Sequence, residues 1–129
     1  MKFLRPSITL AFTVALGGCA LPPPAPPGLI DVAERPAEKA LLAGMRAYDD
    51  AQYAQAEQLL MQALKAGLAS PRDRAAAHKH LAFIYCTSKR VPACEAEFRA
   101  ARTDDPAFAL SRAEAGHPLW GPVWQRLRQ

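Results

Sequence analysis

The stretch AAAHKHLAFIYCTSKRVPACEAEFRAARTDDP, residues 75–106, decides the fold. His78, Leu81, Ala82 and Tyr85 fall at i, i+3, i+4 and i+7, the apolar stripe of an amphipathic helix. After a break over residues 89–92, Cys94, Phe98 and Ala101 take up that spacing again. The pattern predicts two antiparallel helices. Small side chains at Ala82 and Cys94 allow them to approach closely, and Phe98 fills the far end of the seam.

Upstream, PAEKALLAGMRAYDDAQYAQAEQLLMQALKAG, residues 36–67, is rich in Ala, Leu, Gln and Glu, all good helix formers. The two segments together resemble the tetratricopeptide repeat, a helix-turn-helix unit. Leu81, Ala82, Tyr85, Phe98, Ala101 and Pro106 match its pattern, with Cys94 where Ala is usual. Gly44, Tyr53, Ala56, Leu60, Ala63 and Leu64 fit a second copy, although Ala47 stands where the family prefers a large aromatic, with Tyr48 one place later. Ala56 and Cys94 are equivalent positions 38 apart, four more than one period, which predicts an enlarged loop over residues 68–73. Within it, Ser70 and Pro71 read as helix cap and first turn.

The resemblance implies an all-α fold of two tetratricopeptide-like helical hairpins plus a C-terminal capping helix. Helices are expected over residues 37–51, 53–66, 72–87 and 92–102, with the cap over 107–115. Solenoids need such a cap to cover the last apolar face. Beyond it, Trp120, Pro122, Val123 and Trp124 form an aromatic tail that either folds back on the repeats or receives a partner.

The chain opens with MKFLRPSITLAFTVALGGCA, a charged start at Lys2 and Arg5 and an apolar run over residues 8–16 too short to remain as a membrane span. Leu16, Gly17, Gly18 and Cys19 resemble the lipobox of bacterial lipoproteins, which implies cleavage before Cys19 and acylation of its thiol. The alternative is an ordinary secretory signal with a chance cysteine. Several acyl chains on one residue anchor far better than the single chain that binds marginally. Ala20 in place of Asp implies the outer membrane, periplasmic face. Residues 21–31, LPPPAPPGLID, read as a stalk in extended polyproline geometry, about 3.1 Å per residue, or as a ligand for a proline-recognising domain. The expected organisation is therefore signal peptide 1–18, lipidated Cys19 and linker 19–35, repeats 36–106, and cap with tail 107–129.

Half of the 129 residues are hydrophobic, and the net charge of +4 falls to +2 once Lys2 and Arg5 leave with the signal. So small an excess argues against nucleic-acid binding, which draws on a clustered basic face. Catalytic patterns are absent too. His78 and His80 lie two apart and point in different directions on a helix, so they do not make an i, i+4 metal pair. His78 reads as a packed core residue and His80 as solvent- or groove-facing. Glu95, Glu97, Asp104 and Asp105 lack the spacing of a paired acid and base. No enzyme activity, metal, cofactor or small-molecule substrate is expected.

Recognition of a protein partner is what the pattern leaves. In the repeat family the first helix of each hairpin lines a concave surface that holds a peptide or helix. On this chain the resemblance assigns to it Glu38, Leu41, Met45 and Tyr48 from one hairpin and Lys79, His80 and Phe83 from the other. Met45, Tyr48 and Phe83 offer adaptable apolar contact, while Lys79 and His80 offer donors to a carboxylate. The lipobox, proline spacer, short repeats, the run HKHLAFIYCTSKR and the ending AEAGHPLWGPVW are similar to the TssQ-type lipoproteins associated with type VI secretion. That implies a partner in a cell-envelope secretion assembly. A pilotin-like lipoprotein that assists secretin or pilus assembly is the main rival, and an envelope enzyme subunit or redox protein a third reading. With Cys19 acylated, Cys86 and Cys94 are left as a pair in an oxidising compartment, either one disulfide or two buried thiols. Their positions put the Cα separation near the upper limit for a bridge, about 7 Å.

Overall fold

The computed structural model describes residues 23–26 and 28–129; the signal segment and Cys19 lie outside the described residues. Among the described residues all regular structure is helical, in the order α1 (Leu29–Ala33), α2 (Pro36–Asp49), α3 (Tyr53–Ala66), α4 (Pro71–Thr87), α5 (Val91–Asp104), α6 (Arg112–Ala115) and α7 (Gly121–Leu127). The fold is all-α. Helices α2 and α3 pair as one hairpin and α4 and α5 as the next, with α3 and α2 also against α4 and α7 on α5.

The two hairpin turns are copies of each other. Helices α2 and α4 both end with a left-handed residue, Ala51 at φ 58° and Lys89 at φ 61°. The amides of Ala51 and Gln52 donate to Tyr48 and Ala47 carbonyls, and those of Lys89 and Arg90 to Cys86 and Tyr85, the paired bonds that close a Schellman cap. A three-residue link of this kind reverses the chain tightly and sets both hairpins in one register.

That register fixes the core. Ala56, Leu60 and Ala63 on α3 and their counterparts Cys94, Phe98 and Ala101 on α5 are fully buried, as is Ala82 on α4. Gly44 holds the place in the first hairpin that Ala82 holds in the second. A Cβ there would come within 2.9 Å of Leu60 Cγ, so only glycine lets α2 and α3 close at that level. Where Tyr85 fills the corresponding corner of the second hairpin, the Arg90 guanidinium lies 4.2 Å over its ring and pairs with Glu57 of α3 at 2.7 Å. Burial, with the Glu57 and Glu97 charges, pushes the Tyr85 phenol up to about 12.

Three expectations need correction. The enlarged loop over residues 68–73 is not found: α4 starts at Pro71 and runs 17 residues against 14 for α2, α3 and α5. Ser70 Oγ accepts the Asp73 amide at 3.3 Å and Pro71 sets the first turn, so the extra residues become helix. Arg74 then ties down what loop remains, donating to Leu68 and Ala69 carbonyls and to Asp104 Oδ1. The stalk over residues 21–31 is not wholly extended either, because α1 begins at Leu29.

The cap, finally, lies later than residues 107–115. Pro106 and the Phe108 amide, bonded to the Asp105 carbonyl, hold a turn instead. Ser111 and Glu114 form a capping box that starts α6 only at Arg112. Helix α7 does the covering. It is brought back by Gly121, where a Cβ would strike the Ala115 carbonyl oxygen at 2.5 Å, and it buries Val123 and Trp124 on α5. The aromatic tail thus folds back on the repeats.

Across the second turn the sulfurs of Cys86 and Cys94 sit at bonding distance, with Cα atoms 5.2 Å apart. That is well inside the usual range, and closer than the sequence spacing suggested, because the Schellman turn brings the helix ends together. Reduction of this bond is expected to lower unfolding stability by about 2–3 kcal/mol, the chain-entropy value for so short a loop. Urea midpoints with and without reductant measure it; identical midpoints would mean the thiols are not bridged.

Candidate functional site

The residues assigned to partner binding do come together on the α2/α4 face. The Tyr48 ring lies 5.2 Å from His80 and 6.3 Å from Phe83, His80 lies 6.2 Å from Phe83, and Lys79 Nζ is 5.7 Å over the Phe83 ring. Met45 and Tyr48 are half-buried and pack against the core. Their accessibility, however, differs from the expectation in the second hairpin.

Trp120 stacks on Phe83 with ring centroids 4.2 Å apart, and His117 stacks on Trp120 at 3.4 Å. The Trp120 indole N–H donates to the Glu114 carbonyl, and the Glu114 carboxylate takes the Lys79 ammonium at 2.7 Å. The chain's own C-terminal segment therefore covers this half of the face. Phe83 is 4% exposed and belongs to the core, touching Phe98 as well, so it is not a free contact residue.

His80 is buried rather than groove-facing. Its Nδ1–H donates to the Ala76 carbonyl at 2.7 Å, and burial pushes the imidazole below its usual value against the opposing pull of that bond. A neutral ring cannot serve as a cationic donor to a partner's carboxylate. Lys79 is engaged by an internal one. Burial alone would raise the Glu114 carboxyl, but bonds from Lys79 and Ser111 outweigh it and leave it lowered, so the pair is charged at neutral pH. Burial, with Tyr53, Asp49 and Glu114 nearby, raises the Tyr48 phenol.

His78 is also corrected, from a packed core residue to a partly exposed polar bridge between α4 and α5. Its Nδ1 lies 2.6 Å from Glu97 Oε2 and its Nε2 3.4 Å from Asp104 Oδ2, with Arg74 on the other oxygen of Asp104. This network joins the two helices where the apolar stripe runs out. Among the described residues no group of three or more His, Cys, Asp or Glu is placed to hold a metal ion.

The first-hairpin half stays accessible. A cleft of about 190 Å³ opens there, lined by Leu29, Val32, Glu38, Leu41, Leu42 and Asp73. Leu42 is 42% exposed beside the buried Leu41. The sequence reading named Glu38 and Leu41 but missed Leu42, although an apolar residue one step off a helix's core stripe is the signal that finds it. It also missed Leu29 and Val32, which were assigned to the linker. A larger recess of about 410 Å³ lies between Arg102, Phe108, Trp124 and Arg128, on the cap and away from the α2/α4 face. No protein-family model, curated protein or solved structure matches the chain.

Proposed function

We propose that this chain is a protein-interaction module of the bacterial cell envelope, held at the periplasmic face of the outer membrane by acylated Cys19 and acting as an accessory lipoprotein of a type VI secretion system. The observation that carries the interaction reading is the apolar cleft on the α2/α4 face, bordered by Leu41 and the exposed Leu42. The lipobox and the likeness to TssQ-type lipoproteins support the address and the assembly. The proline-rich stalk gives the module reach from the bilayer, about 3.1 Å per residue. Leu29, Val32 and Leu42 rim the cleft over the buried Leu41, an arrangement suited to an apolar partner segment.

A photo-crosslinker placed at position 42 in cells is expected to trap a component of the secretion assembly. Replacing Cys19 by Ser is expected to move the protein out of the outer-membrane fraction and abolish that crosslink. Capture of a secretin would favour the pilotin-like alternative. Crosslinks obtained only from the recess around Arg102 and Arg128 would move the binding surface to the cap. Leu42→Ser is expected to weaken the complex roughly fivefold to thirtyfold, while stability changes by about 0.5 kcal/mol or less, since the side chain is on the surface.

A further inference from the structure

Glu38 lies in the first turn of α2 and is only 6% exposed. Its chain neighbour Lys39 is engaged elsewhere, with Glu34. Arg35 lines the neighbouring recess together with Glu38 but makes no ion pair with it. Among the described residues Glu38 has no hydrogen-bond or ion-pair partner, and no buried side-chain oxygen is wholly cut off from water without one. Its carboxylate therefore keeps a path outward at the cleft it lines.

The cleft itself is one-sided in charge. Four aliphatic side chains, Leu29, Val32, Leu41 and Leu42, and two carboxylates, Glu38 and Asp73, line it, with no cation among them. Asp73 has only its backbone amide bonded, to the Ser70 cap, so its carboxylate is also available. A cation delivered together with apolar surface complements such a lining, its charge meeting the carboxylates and its apolar neighbours the aliphatic walls.

We infer that the partner segment is basic and apolar: an aliphatic side chain packs against the exposed Leu29 and Leu42, and a Lys or Arg beside it reaches Glu38 and Asp73. This rests on the interaction reading above and adds the partner's chemistry to it. It also reverses the polarity expected from Lys79 and His80, which face an internal carboxylate and a backbone carbonyl. A cation on an apolar segment fits both carboxylates and the aliphatic walls.

The test uses the full chain and two fluorescent leucine-rich peptides with blocked ends, one carrying a single Lys and the other a Glu in its place. In anisotropy titrations the Lys peptide is expected to bind saturably and about tenfold or more tighter than the Glu peptide. Glu38→Gln is expected to remove most of that preference, and Asp73→Asn, on a more accessible site, part of it. Arg35→Ala is expected to leave it intact. Equal binding of both peptides, a preference for the Glu peptide, a Lys preference that survives both acidic substitutions, or no saturable binding of the Lys peptide overturns the inference. Binding of both peptides alike, lost in Leu42→Asp, would leave the interaction reading standing without the charge preference; binding unaffected by Leu42→Asp would remove the α2/α4 face itself.

Discussion

Phe98→Ala is expected to lower unfolding stability by about 3–5 kcal/mol, a loss comparable to the whole stability of a marginal small domain. Phe98 is fully buried where α4, α5 and the cap meet, 6.1 Å from Phe83 and 5.3 Å from Trp124 by ring centroids. Removing the ring opens a cavity between three elements that cannot all collapse into it. Chemical denaturation followed by circular dichroism measures the effect, and a loss under about 1 kcal/mol would mean the side chain is not in the seam.

The second large effect is expected from Trp124→Ala, again about 3–5 kcal/mol. Trp124 is 2% exposed and packs on Phe98 and, at 5.5 Å, on Phe108. A tail waiting for a partner would tolerate the change, whereas a tail that closes the solenoid would not. Since Trp124 and Phe98 share one contact, the double variant is expected to lose less than the sum of the two by about 0.5–3 kcal/mol. Additive losses, or unchanged melting of the Trp124 variant, would detach α7 from the core.

These two residues also mark how far the sequence could be read. The partner of Phe98 across its own hairpin was legible, because Leu81, Ala82, Cys94 and Phe98 repeat at helical spacing within a few turns of each other. Its partner on α7 was not, because nothing local says which way an aromatic tail will fold. The candidate site was legible as a face and misjudged in its accessibility. Tyr48, Lys79, His80 and Phe83 do converge, but Glu114 and Trp120 arrive from the C-terminal segment to cover Lys79 and Phe83.

By itself the sequence determined the all-α class, the two hairpins and the Ser70 and Pro71 helix start, since periodicity and caps act over one or two turns of chain. Only the tertiary structure decided that α7 and not residues 107–115 is the cap, that His80 and Phe83 are buried, and that Glu38 faces an aliphatic cleft without a partner. Those outcomes depend on contacts between segments far apart in the chain, where the free energy of burial is set by whichever surface arrives, and helical spacing carries no record of that.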